Sequence, residues 1–373
     1  MPRLPWTRRG FLTAAAASTL TAQAPTRSAK LPSEKKDFRD RTTEFTFTRV
    51  NSPSVSAWLP APTARMFARR GKFLLHASDR SGSLQAWAMD LKTGELRLLT
   101  AAEKLDPASL SLTADERAFC YVDLGAGPAL YLAVIGKEKD KPVKLADLPG
   151  HTPGAGVSIS ADGQLAALVS GNRLLRINLP RGGAGVLNTG DALRAPMFHP
   201  HRPELAYFAG PTLWTMPLNG GKPTAVPLPT GRVLDAHWSP AGDKDASALL
   251  YLHQPDDASR TVNLREYDFV ARRDRLIGLT SQYASFSPNA DASVLAGASF
   301  SKAQPHILMF VRSVARELTL CEHNAKDAAK VTPVFTPDSQ QIFFQSDREG
   351  KPAIYSIAVE KLVETTEQSE PGQ

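Results

Sequence analysis

Cysteine is nearly absent, since Cys120 and Cys321 are the only two in 373 residues. A disulfide framework is therefore excluded, and no Cys-x-x-Cys pair exists to bind zinc or run redox chemistry. The two lie in strand-like sequence and are expected as unpaired core residues. No apolar run approaches the roughly 20 residues that a membrane span needs, so no transmembrane segment is expected. A glycine-rich phosphate loop and a Gly-x-Ser-x-Gly elbow are also missing, which sets aside P-loop nucleotide chemistry and the nucleophile-elbow hydrolases. Charge of one sign is lacking as well. Lys and Arg number 44 against 37 Asp and Glu, but Arg3, Arg8 and Arg9 fall in a leader, and without them the balance is 41 to 37. A surface so nearly balanced carries no electrostatic footprint for nucleic acid.

What is abundant points to strands and turns. Twenty-nine prolines and 25 glycines are spread along the chain, which argues against long helices, while 42% hydrophobic residues suffice for a sizeable core. The first two dozen residues are of another kind. Thr7-Arg8-Arg9-Gly10-Phe11-Leu12 precedes Thr13-Ala14-Ala15-Ala16-Ala17 and a small-residue site at Ala22-Gln23-Ala24. A charged head, a weakly apolar middle and a cleavage site read as a signal peptide over residues 1–24, and the paired arginines match the twin-arginine export signal. Export to the periplasm or the medium follows as an expectation. Residues 25–43 read as a polar linker and 364–373 as a disordered acidic tail.

Between them one phrase recurs: an apolar pair, Ser or Thr followed by Pro-Asp or Ala-Asp, a polar turn and an apolar strand. It runs from Leu112-Thr113-Ala114-Asp115 through Ile159-Ser160-Ala161-Asp162-Gly163, Trp238-Ser239-Pro240 and Phe286-Ser287-Pro288-Asn289 to Phe335-Thr336-Pro337-Asp338. Proline presets φ and aspartate bonds its own backbone, so each instance is a hairpin signal. Recurrence at about 40 to 50 residues is propeller spacing. Each unit leaves a sheet face that only its neighbours can cover, so the units close into a ring. The expected fold is an all-β propeller of about seven four-stranded blades over residues 44–363, closed by an N-terminal strand around Glu44-Phe45-Thr46-Phe47.

Two stretches carry more than the generic pattern. Phe73-Leu74-Leu75-His76-Ala77-Ser78-Asp79-Arg80-Ser81-Gly82, continued by Trp87-Ala88-Met89-Asp90-Leu91, resembles the first blade of the oligogalacturonide lyase family. Leu320-Cys321-Glu322-His323-Asn324, then Pro333-Val334-Phe335-Thr336-Pro337-Asp338 and Phe344-Gln345-Ser346-Asp347-Arg348-Glu349-Gly350, resembles that family's C-terminal segment. The resemblance implies a seven-bladed propeller that cleaves short oligogalacturonates by β-elimination, with manganese or a similar divalent metal and an arginine as base. Removing the proton beside a uronate carboxylate builds negative charge there, which a cation must neutralise. The resemblance implies three histidines and a glutamine as metal ligands. Their positions fall on Tyr283, Asp327, Lys330 and Thr332, and Asp235-Ala236 stand where the family carries a His-Glu pair. Lysine among oxygen groups does not make a manganese site.

Candidate substrate-binding residues are therefore sought among the histidines. His199 and His201 alternate along one strand end and face the same side, His237 approaches from the next blade, and His323 matches a family histidine. The run Arg272-Arg273-Asp274-Arg275 suits carboxylates but reads as a solvated hairpin loop. Two functions remain: an exported oligogalacturonide lyase type acting on an acidic oligosaccharide, or a monomeric non-catalytic propeller that binds a saccharide or protein partner, its metal site lost.

Overall fold

The recurring phrase folds the same way in blades two, three and seven, whereas in blade six Ser287 and Pro288 belong to the strand and the turn is Asn289-Ala290-Asp291-Ala292. The Thr113 hydroxyl bonds Asp115 at 2.7 Å, that of Ser160 bonds Asp162 at 2.5 Å and that of Thr336 bonds Asp338 at 2.6 Å. Each aspartate also accepts the backbone N–H two residues on, from Arg117, Gln164 and Gln340. In the fourth position of these turns, and of Asn289-Ala290-Asp291-Ala292, the chain is left-handed: φ is 60° at Glu116, 70° at Gly163, 58° at Ala292 and 60° at Ser339. Of these four turns, only that of blade three places glycine where the conformation costs a side chain least.

The structure is a computed structural model that describes residues 30–359 apart from 70–71, 138, 220, 240–247, 258–260 and 281. The expected signal peptide and acidic tail lie outside the described residues. The strands form seven sheets, and helix appears among the described residues only as three short 3-10 turns. Blades two to six are four-stranded and their strands pair in sequence order. Their innermost strands are Ser111–Leu112, Ser158–Ile159, Leu193–Phe198, Arg232–Trp238 and Tyr283–Pro288. Blade seven takes Val334–Phe335, Gln341–Ser346 and Ala353–Ala358 from the C-terminal end and Thr46–Arg49 from the N-terminal end. Phe47 faces Ile357 and Arg49 faces Tyr355 in that pair, so the ring closes by joining the two ends of the chain, as expected. The core lies between blades, where Trp87, Tyr207, Tyr251 and Phe344 are fully enclosed. Cys120 and Cys321 are buried and separate, and burial pushes the Cys120 thiol up to about 12. No helix among the described residues is long and apolar enough to cross a membrane.

The expected polar linker is structured from residue 30 onward. Lys30–Leu31 adds an outer strand to blade one and Lys36–Arg39 adds a fifth to blade seven. Polar strands suit this place, because an added edge strand has one wet face and its backbone groups are satisfied by the ladder. Glu34 fixes the crossing by accepting from the Ser52 N–H at 2.6 Å and pairing with the Arg80 guanidinium. Asp40 is buried and accepts from the N–H and hydroxyl of both Thr42 and Thr43 and from the Glu322 N–H in blade six. The run expected as a solvated loop is part of an outer strand, Arg273–Leu279, where Asp274 pairs with Arg265 and Arg275 with Glu266.

Asp40 makes the clasp acid-sensitive. Burial alone would raise its pKa, but the hydrogen bonds from Glu322, Thr42 and Thr43 outweigh it and hold the carboxyl at about 2. A depressed folded pKa contributes stability that is complete above the ordinary carboxylate range, near 4, and is lost as pH falls through the folded value. Urea unfolding should therefore show stability declining between pH of about 4 and about 2, with a smaller decline in Asp40→Asn. An equal decline in both chains would assign the acid sensitivity elsewhere.

Candidate functional site

Each innermost strand runs from one face of the ring to the other, so its first residues gather at one mouth of the channel and its turn residues at the opposite mouth. Blade one departs from this. Its innermost strand is split into Ala57–Trp58 and Phe67–Ala68, both paired to Phe73–Ser78. The intervening residues 59–66 swing into the channel. They are held by Ala61 N–H to the Ala108 carbonyl at 3.1 Å and by Arg65 N–H to the Ser111 hydroxyl at 3.2 Å. Pro62 borders cavities on both sides of this segment.

At the first mouth two cavities, of about 400 and 690 Å3, share Ala61, Pro62 and Gly154 as a common wall. The smaller contains Arg194 and Asp235, and the larger contains Lys326, Asp327, Lys330, Thr332 and Asp347. Bulges break the register at Arg194, at Val233 and at Tyr283, near the start of three successive innermost strands. A bulge shifts side chains between faces and is common beside binding sites. The Arg194 guanidinium lies 3.8 Å over the Phe208 ring. Burial lowers its pKa, Asp235 partly offsets that and nearby Arg232 adds to it. Lys330 reaches Asp327 at 3.5 Å and Lys326 reaches Asp347 at 3.9 Å. Asp327 also caps the short turn Ala328–Lys330 by accepting the Ala329 N–H at 3.1 Å.

These residues do not fit manganese. Tyr283 is fully buried in the packing between blades five and six, with its ring against the Gly297 Cα. Burial, with Glu317 adding to it, raises the phenol well above its ordinary range. Of the four positions that the resemblance implies as ligands, the other three, Asp327, Lys330 and Thr332, supply one carboxylate, an ammonium beside that carboxylate and a hydroxyl. No described residues form a group of three or more His, Cys, Asp or Glu able to hold a metal.

The histidines separate into two kinds. His323 spends both ring nitrogens on the backbone: Nε2 faces the Ser299 carbonyl at 2.8 Å and Nδ1 accepts the Ala325 N–H at 3.0 Å. It borders none of the three cavities. His199, His201 and His237 come together at the second mouth, around a cavity of about 700 Å3. Of these, His199 is a turn cap. Its Nδ1 accepts the N–H groups of His201 and Arg202 at 3.0 Å, its ring meets Trp238 edge-on at 4.5 Å, and burial lowers its pKa to about 4. Arg65, Arg69, Arg194 and Lys326 were not singled out in the sequence. None belongs to a recognisable motif, and the topology alone brings them to the channel.

No family model matches the chain. An oligogalacturonide lyase of Pectobacterium atrosepticum is 26% identical over 144 residues, which is 33% of this chain and 36% of that protein. The match thus spans about a third of the relative's length. Among solved structures, an oligogalacturonate lyase in complex with manganese superposes with a TM-score of 0.76 at 19% identity, covering 90% of this chain and 98% of the other. The oligogalacturonate lyase of Vibrio parahaemolyticus gives 0.74 at 17%, covering 90% and 99%. These superpositions speak for the fold: seven four-stranded blades. Over the matched stretch the chain is similar in sequence to an oligogalacturonide lyase, and over 90% of its length it shares the propeller fold of two oligogalacturonate lyases.

Proposed function

We propose that this chain is a lyase-type propeller that engages short oligogalacturonates at the first mouth, and that it does so without manganese. The observation that carries the reading is the presence of the cations Arg194, Lys326 and Lys330 at the first mouth of a channel of lyase architecture, with Lys330 and Thr332 where the resemblance implies metal-ligating histidines. In β-elimination a base takes the proton on the carbon beside the uronate carboxylate. That electron pair becomes the new carbon–carbon double bond, and the glycosidic carbon–oxygen bond on the next carbon breaks as its oxygen is protonated. The charge that gathers on the carboxylate needs a cation, and lysine ammonium groups can supply one in place of a metal. A second reading, saccharide binding without cleavage, is favoured by a separate observation: Asp327 and Asp347 stand beside the two lysines, and Asp235 opposes Arg194.

A calorimetric titration of digalacturonate into the purified chain tests engagement. Saturable binding that weakens about tenfold in K326A/K330A is expected, from loss of charge-assisted contacts. Absence of binding by the original chain would overturn the proposal. Ultraviolet absorbance of the unsaturated product then distinguishes the two readings. The reading also includes export by the twin-arginine route, supported by Arg8-Arg9-Gly10-Phe11-Leu12 ahead of the alanine run, and a monomer as the working form. Replacing Arg8 and Arg9 by lysine should leave the protein in the cytoplasm of a bacterium with that machinery. Unchanged export in cell fractionation would contradict it.

A further inference from the structure

The second mouth holds a separate constellation, built at the turns that end the innermost strands. Its cavity of about 700 Å3 is large enough for a small sugar. Two guanidinium groups, Arg65 and Arg69, border it, and Glu116 is the one carboxylate among the described residues lining it. Neither arginine has a salt bridge among the described residues, and Glu116 already accepts the Arg69 N–H at 2.9 Å. The opposite wall is polar and incompletely satisfied. His237 Nε2 is buried without a hydrogen-bond partner, because Asp235, at 3.5 Å, lies outside hydrogen-bonding geometry. The Ser287 hydroxyl lines the cavity, is 6% exposed and also has no partner, and the Ser285 hydroxyl two residues earlier on the same strand face is in the same condition. Buried polar atoms are nearly always satisfied, so two orphans that line one cavity from adjacent inner strands, His237 Nε2 and the Ser287 hydroxyl, mark a place where a hydroxylated guest supplies the missing bonds.

We propose that the second mouth is a binding site for a small polyhydroxylated carboxylate, a sugar acid. Its carboxylate docks on Arg65 and Arg69, and its hydroxyl groups bond His237 and Ser287. The site is distinct from the first mouth: it shares with those cavities only the wall residues Pro62 and Thr63, and touches the first mouth through His237, 3.5 Å from Asp235.

The test uses D-galacturonate as probe, with galactose and inorganic phosphate as counter-probes, in the K326A/K330A chain so that the first mouth is weakened. One galacturonate per chain should still bind there and shift the ring resonances of His237, while galactose does not bind. Adding R65A/R69A should weaken binding about tenfold or more. R65K/R69K, which keeps the charge, controls for folding and should retain part of the affinity. A silent titration in the K326A/K330A chain, or binding indifferent to loss of both arginines, overturns the proposal. Phosphate binding as tightly as galacturonate overturns the sugar-acid assignment. If digalacturonate fails at the first mouth while this titration succeeds, the fault lies with the lyase-type reading alone.

Discussion

Asp106→Ala should cost about 3 to 4 kcal/mol of unfolding free energy and weaken digalacturonate binding as well. Asp106 is 1% exposed and holds a corner between blades two and three. Its carboxylate accepts the Ala108 N–H at 3.2 Å and the Gly154 N–H at 3.0 Å, and lies 3.1 Å from Nε2 of buried His151. Alanine would leave all three groups without their acceptor, and for the His151 ring, whose side chain is fully buried, no water can replace the carboxylate, which is the costly case. The functional consequence follows from position. Ala108 and Gly154 are wall residues of the first mouth, so the corner that loosens is the one the ligand touches. Asp106→Asn keeps the shape and one acceptor and should fall between the two. Urea unfolding and a digalacturonate titration of the same preparations check both effects. A cost below about 1 kcal/mol would mean the corner is held by something else.

Gly297→Ala should be nearly as damaging, for a steric reason. A Cβ at Gly297 would fall 2.2 Å from Tyr283 Cε2, and that ring is 0% exposed with no room to retreat. Overpacking of this sort costs about 3 kcal/mol in a rigid core. The test of cause is a double-mutant cycle: in a Tyr283→Ala background, itself destabilised by its cavity, the added methyl should cost far less. The outcome bears on function because it fixes which way Tyr283 faces. Strong coupling places the side chain between blades, away from the channel. Additive costs would free the ring to point elsewhere and reopen Tyr283 as a channel residue.

The legible parts of this fold were the local ones. The Ser/Thr-x-Asp turn is written within four residues, and Thr113, Ser160 and Thr336 repeat one set of hydrogen bonds. The clasp at residues 30–39 was not legible, because its partners are remote: Lys30 pairs with Arg97, and Phe47, the partner of Phe38, pairs with Ile357. Short polar strands have no periodicity of their own and read as linker until an edge is supplied. At the candidate site, His199, His201 and His237, which the sequence offered as candidates, line one cavity. Sequence register could place Tyr283 near the first mouth but could not give its direction, since the bulge between Tyr283 and Ser285 shifts the face on which each residue lies. Residues 59–66 were missed for a different reason. A proline-rich excursion looks like surface loop in sequence, and only ring closure turns it inward.

The central claim is that the first mouth works without manganese. The direct measurement is the absorbance of unsaturated uronate formed from digalacturonate, followed in chelator and again with manganese added. The account predicts the same trace in both, whether rising or flat. A rise that appears only with manganese and is abolished by chelator would contradict it, and would mean that a metal site is assembled from residues other than Asp327, Lys330, Thr332 and Tyr283.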